Sequence, residues 1–346
     1  MFAKKIVAGA ALLAVAAVAH ADVKVYGMLD MSVGSFKDFE FNGAGDLVKG
    51  KSKTAVESGS MMTSYIGFAG DENLGGGLKA EFAIESFILG DTGGTAKNLA
   101  NGFWGRGSFV ALSGGFGKVA LGQYDNAMFT FGYTYNPFGS SMTFSPAMVS
   151  YYSLAGFSAP SLGYDTGWVN SITYESPVIS GFQAVVQVAP KETAAGGDAK
   201  NNFALSGSYN AGPLSLMAVY TNSGKSSTAY TARQKDFALG GSYDFGVAKA
   251  MGQYSQVKDT TGGGDTKATF VQIGASVPVT AADAVMVSYG QTKYDFGTDT
   301  AKLKQFSLGV DHTLSKRTDV YAALTNKKIT DVGSANTFAV GIKHNF

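Results

Sequence analysis

Phe203-Ala204-Leu205-Ser206-Gly207-Ser208-Tyr209 recurs as Phe237-Ala238-Leu239-Gly240-Gly241-Ser242-Tyr243. Phe306-Ser307-Leu308-Gly309 and Phe338-Ala339-Val340-Gly341 echo the same pattern. Each copy alternates large apolar with small or polar residues, which is the period of a strand and not of a helix. Asn210-Ala211-Gly212 follows the first copy and Asp244-Phe245-Gly246 the second, both with tight-turn chemistry. The interval between copies is one hairpin plus one loop. Propeller blades also repeat at about 40 residues, but with four strands each; here a repeat holds two.

The alternation extends in both directions. Val23, Val25, Leu29, Met31 and Val33 alternate with Lys24, Tyr26, Met28, Asp30 and Ser32. One such strand fits a soluble sandwich as well as a membrane barrel. The connections separate the two. Short turns fall at Asp71–Gly76, Ser113-Gly114-Gly115, Ser176–Ser180, Asn210-Ala211-Gly212, Asp244-Phe245-Gly246, Val277–Asp283 and Leu314–Thr318. Longer polar or Gly-rich stretches fall between them: Lys37–Met61, Gly90–Phe103, Pro190–Lys200, Asn222–Arg233, Lys258–Thr266, Asp295–Lys302 and Lys328–Ser334. Asp125–Thr166 joins this second set. Seven short and eight long connections join sixteen strands, short at one end and long at the other. That even, antiparallel count is the pattern of an outer-membrane barrel. The chain stops on Phe346, which shares a face with Phe338, Val340, Ile342 and His344. Pairing of this last strand with the first would remove both edges. In Lys267–Val277 the alternation is poor, and the face taken by Phe270 is not legible.

Composition narrows the class. Met1-Phe2-Ala3-Lys4-Lys5, the apolar run Ile6–Ala19 and Ala19-His20-Ala21 have the order of a cleaved export signal, so the mature chain is expected to begin at Asp22. The run is too short to span a bilayer. Losing Lys4 and Lys5 takes the formal charge from +1 to −1, which argues against a nucleic-acid partner. Cysteine is absent, so there is no thiolate metal site or disulfide. Charged residues make up 15%, below the ~25% of soluble domains. No cofactor is implied. Gly262-Gly263-Gly264-Asp265 has a lone aspartate in a Gly-rich loop and reads as solvated. Two histidines remain after processing, His312 and His344, neither with a nucleophile motif. An enzyme is therefore not expected.

Asp125–Thr166 stands apart. From Asn126 to Tyr164 it carries no Asp, Glu, Lys or Arg, while it holds Tyr133, Phe138, Phe144, Tyr151 and other rings. So long and aromatic a loop must fold against something; the expectation is that it folds into the barrel and narrows it. Ser145-Pro146 is a helix-start signal, predicting a short helix from Pro146 to about Leu154. Its wall face would be Tyr151 with Leu154, or Met148 with Tyr152. By parity Lys24, Tyr26, Asp30, Tyr65, Lys79, Glu81, Glu85 and Arg106 face the lumen, with Phe138 at the loop tip.

Several stretches resemble the general porins of Gram-negative bacteria, the β-proteobacterial and neisserial type in particular. They are Val25-Tyr26-Gly27-Met28-Leu29-Asp30, Ile66-Gly67-Phe68, Asp71-Glu72-Asn73-Leu74-Gly75-Gly76-Gly77-Leu78-Lys79-Ala80 and Leu112-Ser113-Gly114-Gly115-Phe116-Gly117. Asn170-Ser171-Ile172, Leu314-Ser315-Lys316-Arg317-Thr318-Asp319-Val320-Tyr321-Ala322 and His344-Asn345-Phe346 complete the set. The resemblance implies a homotrimer of sixteen-stranded transmembrane barrels in the outer membrane, each with its third extracellular loop folded inward. It implies contact with outer-membrane lipid and lipopolysaccharide. It also implies insertion by the assembly machinery that reads the C-terminal strand and Phe346. The expected function is passive diffusion of ions and small hydrophilic solutes, weakly anion-preferring or nearly non-selective. The alternative is a channel specific for small aromatic or moderately apolar compounds. The chain departs from the family where arginines face the loop: Tyr65 stands at one such position and Gly167 at another, while Arg106 is kept. Asn136-Pro137-Phe138-Gly139 lacks the family's loop acid.

Overall fold

The computed structural model describes residues 23–95, 102–153, 166–191, 200–224, 233–261 and 265–346. The expected export signal, residues 1–21, lies outside them, as do Leu154 and Gly262–Gly264.

The chain opens with β1 (Lys24–Phe36), a small hairpin of β2 (Phe39–Phe41) and β3 (Leu47–Lys49), and β4 (Lys53–Ser58). Then come β5 (Tyr65–Gly75), β6 (Leu78–Phe87), β7 (Gly107–Gly114) and β8 (Gly117–Asp125). The long loop follows, with α1 (Ala127–Thr134) and α2 (Pro146–Met148) running into a π turn at Val149–Ser153. β9 (Gly167–Glu175), β10 (Phe182–Ala189), β11 (Asn202–Ala211), β12 (Leu214–Gly224) and β13 (Arg233–Asp244) continue the sheet. It ends with β14 (Lys249–Asp259), β15 (Thr266–Pro278), β16 (Asp283–Asp295), β17 (Thr300–Ser315), β18 (Thr318–Ile329) and β19 (Gly333–Asn345).

Apart from β2 and β3, these strands form one antiparallel sheet that closes on itself. β19 pairs with β1 from Met28↔Asn345 to Ser35↔Phe338, so neither terminal strand is an edge. β4 and β5 pair in succession with the two halves of β1, Met31–Phe36 and Lys24–Met28. They occupy one position in the wall, which leaves sixteen, as expected. The difference from the sequence reading lies in Lys37–Met61. It is not a single loop, because its end returns to the wall as β4. The bend at residues 59–64 turns inward before β5 begins. All seven tight turns fall where predicted, at one end. At the other end, the last two connections shrink to Phe296–Asp299 and Thr330–Val332, because β16–β19 run further than their turn residues suggest.

Burial is inverted relative to a soluble protein. Buried wall residues are Ser206, Gln187, Gln253, Gln272, Ser288, Gln305 and Thr325, while Leu205, Leu239, Ile273, Phe306, Val340 and Ile342 are exposed. A sheet with polar residues inside and an apolar band outside belongs in lipid. The four echoes of the Phe-Ala-Leu motif fall on β11, β13, β17 and β19, and every leading Phe points outward. β15 supplies the answer for Phe270. Ala268, Phe270 and Gln272 all face inward, and Phe270 is buried against the Tyr151 ring at 5.4 Å.

Candidate functional site

The long loop closes at its base, where the Asn126 amide N–H donates to the Thr166 carbonyl at 2.8 Å. Asn126 also caps α1, its Oδ1 accepting from the Met128 N–H at 2.9 Å, and its Nδ2 donates to Gln187 Oε1 on β10. This helix was not anticipated, although Asn126 before an apolar run was its signal. α1 turns Met128, Phe131 and Tyr135 to the wall and Thr130, Tyr133 and Thr134 to open space. The second predicted helix is there but shorter. Ser145 caps it, accepting from the Met148 N–H at 3.2 Å, and after Met148 it widens into the π turn. Its wall face is Met148 and Tyr151.

Two devices hold the loop to the wall of β12–β18. The first is a set of side-chain amides that satisfy backbone groups of the loop. Gln253 Nε2 donates to the Tyr135 and Gly132 carbonyls at 3.1 and 3.3 Å, and Gln305 Nε2 to the Thr143 carbonyl at 3.1 Å. Gln272 Oε1 accepts from the Ala147 N–H at 3.0 Å. Hydroxyls add Ser150 to Thr292 at 2.7 Å, Tyr151 to Ser255 at 2.7 Å and Tyr135 to Ser215 at 3.0 Å. The second device is absence of side chain. A Cβ on Gly240, Gly274, Gly290 or Gly309 would lie 2.5 to 3.0 Å from Phe131, Pro137, Pro146 or Phe138 respectively. These inward glycines are seats into which the loop's rings drop.

Phe138 is therefore not a lumen residue. It is 2% exposed, packed with Phe144, Met61, Met286 and Tyr321. An uncharged ring at the loop tip finds its burial on the wall. Asp30 is likewise withdrawn from the lumen, at 0% exposure. It accepts from the Met61 and Met62 N–H groups at 2.6 and 2.7 Å and from the Tyr321 hydroxyl at 2.8 Å. It fixes the inward bend, whose Ser60 carbonyl accepts from Ser141 Oγ of the loop at 2.7 Å.

The remaining predicted residues gather opposite the loop. Arg106 pairs with Glu85 and stacks over the Tyr65 ring at 3.9 Å. The Tyr26 hydroxyl donates to Glu85 at 2.5 Å. Below, Glu81 pairs with Lys118 at 2.8 Å and accepts from Ser113. Lys79 sits 3.5 Å from Asp71 near the turn, and Lys24 is exposed at the same end. Phe346 bonds through its backbone to Gly27 at 3.1 Å, closing the barrel. His312 and His344 bond Asp283 and Thr318 at that rim.

Three spaces adjoin the loop. A vestibule of about 480 Å³ lies among Lys37, Asp38, Lys51, Glu57 and Thr143. A chamber of about 580 Å³ lies toward the short turns, lined by Glu85, Arg106, Tyr124, Tyr133, Glu175 and Gln183 among others. A narrow space of about 50 Å³ shares Arg106 and Asp125 with the chamber and adds Phe129, Met62 and Met142. Burial and the nearby Asp125 carboxylate push the Tyr133 phenol up, so it stays a neutral hydroxyl on the passage. Sequence reasoning missed Asp125, Tyr124 and Glu175; Asp125 ends a strand, where parity gives little guidance.

A closed lipid-facing barrel, with a polar interior narrowed by one loop, defines a transmembrane channel. Residues 8–331 match the family profile of the Gram-negative porin. The chain is 34% identical over 333 residues to outer membrane porin protein 32 of Delftia acidovorans, covering 94% of this chain and 90% of that one. It is 28% identical to an outer membrane porin protein of Bordetella pertussis, covering 99% of this chain and 100% of that one. Among solved structures, an anion-selective porin from Comamonas acidovorans superposes with a TM-score of 0.78 at 30% identity, over 94% of this chain and all of that one. The chain belongs to the Gram-negative porins: it is an outer-membrane β-barrel that forms a diffusion channel.

Proposed function

We propose that this porin passes ions and small hydrophilic solutes with almost no charge preference. The observation that carries this reading is the pairing of Arg106 with Glu85. A guanidinium in a narrow, low-dielectric passage would favour anions, but here its charge is offset within the same cluster. In the vestibule Lys37, Lys51 and Lys53 share the lining with Asp38, Glu40 and Glu57, and Lys53 pairs with Glu57 at 2.5 Å. The relative named as anion-selective favours the weakly anion-preferring side of this reading. A channel specific for aromatic solutes would need ring faces on the passage. Tyr133, Phe129 and Tyr124 do border the passage, but Phe131, Phe138, Phe144 and Tyr151 lie against the wall or within the loop's own packing, so the loop offers no continuous aromatic track.

The reading includes an export signal removed after Ala21, recognition of the strand ending at Phe346 by the assembly machinery, and a homotrimer. The wall supports the last point. β6–β10 have 8 to 10 residues, whereas β15–β19 have 12 to 16. A low wall suits a side covered by neighbouring copies. The test is the zero-current potential of the purified protein in a planar bilayer under a salt gradient. A value near zero is expected; a strong preference of either sign overturns the reading.

A further inference from the structure

We propose that the β2–β3 hairpin is a second size filter, seated in the mouth of the bore opposite the short turns and held there by the pairing of Lys327 with Asp38. The proposal rests on the channel reading above. It starts from three inward residues near that mouth, Lys327 on β18 and Ala335 and Thr337 on β19. They are 3%, 0% and 5% exposed. In an open, water-filled mouth they would be wet. The chain that follows β1 covers them, leaning back across β19 to β18.

Three contacts fix the hairpin in this place. Lys327 Nζ donates to the Asp38 carboxylate. The Lys37 N–H donates to Thr337 Oγ1 at 3.3 Å, and that hydroxyl donates back to the Lys37 carbonyl at 3.2 Å. The Lys49 stem lies over Gly333, where a Cβ would come within 3.1 Å of it. Between these anchors Phe39 and Leu47 pack on the apolar cluster that includes Tyr294, Leu303 and Ile329. Those three are inward residues as well, so the hairpin lies within the ring and not above it.

Charge decides whether it stays. A lysine as buried as Lys327 is tolerated because an anion meets it. Removing the anion alone leaves a buried charge without compensation, whereas replacing both partners by groups without charge costs little. Lys327 regains water only when the hairpin moves off it. The base of the hairpin is closed separately, by the Gly50 N–H donating to the Asp38 carbonyl at 2.8 Å. Residues 39–49 can therefore be cut out between flanks that already touch.

The test uses single channels of the full mature protein in a planar bilayer, with polyethylene glycols of graded size added to one side at a time. A polymer that enters a mouth lowers the conductance, so the largest one that does so measures that mouth. With residues 39–49 replaced by Gly-Gly, the largest polymer admitted at the hairpin's side should be about twice as heavy as for the wild type, and the short-turn side should be unchanged. Asp38→Asn keeps the oxygen that accepts from the Phe39 N–H at 2.9 Å but loses the charge, and it should move the same side in the same direction. Lys327→Met added to Asp38→Asn should return the wild-type cut-off. If Asp38→Asn does not fold, the excised variant, which keeps the pair, carries the test. An unchanged cut-off after excision would overturn the filter. A cut-off that Asp38→Asn leaves in place, or that Lys327→Met does not restore, would overturn the part given to the pair. A wild type that forms no conducting channel would instead strike the channel reading.

Discussion

The two sides of the bore are built to opposite rules. The wall of β5–β9 carries ionised and phenolic groups, Glu81, Glu85, Arg106, Lys118 and Tyr124, with open space in front of them. The wall of β13–β18 carries amides, hydroxyls and bare glycines, and among the described residues it lines none of the three spaces, because the loop is packed onto it. One wall is left to water and solute, while the other is used up as a packing surface. The passage is consequently off-centre, and its chemistry is that of the wall from β5 round to β12 plus the exposed side of α1.

The largest expected effect comes from breaking the packed side. Gly290→Leu with Gly309→Leu would thrust side chains into Pro146 and Phe138, at an overpacking cost of about 1–3 kcal/mol per site. With the loop lifted, conductance in planar bilayers should rise about twofold or more as the cross-section opens. An unchanged conductance would mean that the loop does not depend on those seats.

Next come changes on the open side, which should leave conductance similar and move selectivity. Arg106→Ala removes the cation that offsets Glu85, and Glu85→Gln removes the anion that offsets Arg106. A unit charge about 4 Å away is worth about 1 kcal/mol even in bulk water, so the two variants should shift the cation-to-anion permeability ratio about fivefold in opposite directions. Shifts of the same sign would refute the offset pair.

Smaller again is the effect of Tyr321→Phe, which removes the hydroxyl donating to Asp30. Loss of a hydrogen bond to a charged group should cost about 1.5–3 kcal/mol, read as earlier thermal unfolding in detergent with selectivity intact. The smallest is Tyr151→Phe. Its bond to Ser255 is neutral, so about 1 kcal/mol is expected, again in stability alone.

The barrel was legible because its signals are local and repeated. Alternation, Gly- and Asn-bearing turns and the Phe-Ala-Leu echo each depend on a few adjacent residues. The inward fold of the charge-free loop was legible from composition. Which way its rings turn was not, because Phe138 has no neighbour in sequence that reports the glycine of a distant strand beneath it. Gln272-Ile273-Gly274 and the inward glutamines Gln187, Gln253 and Gln305 were in view. They acquire meaning only once the loop backbone they serve is placed beside them. Parity put Arg106 and Glu85 on the same side but could not say that they touch, since they come from different strands.

The loop leaves the wall between β8 and β9 and fastens itself as far round as β18 and the bend before β5, so it runs as a chord across a ring. A ring with a fixed chord resists being squeezed into an oval. The bore of this porin should thus hold its width against lateral pressure from the surrounding bilayer, with the aperture governed by an internal brace and not by how tightly the lipids crowd around it.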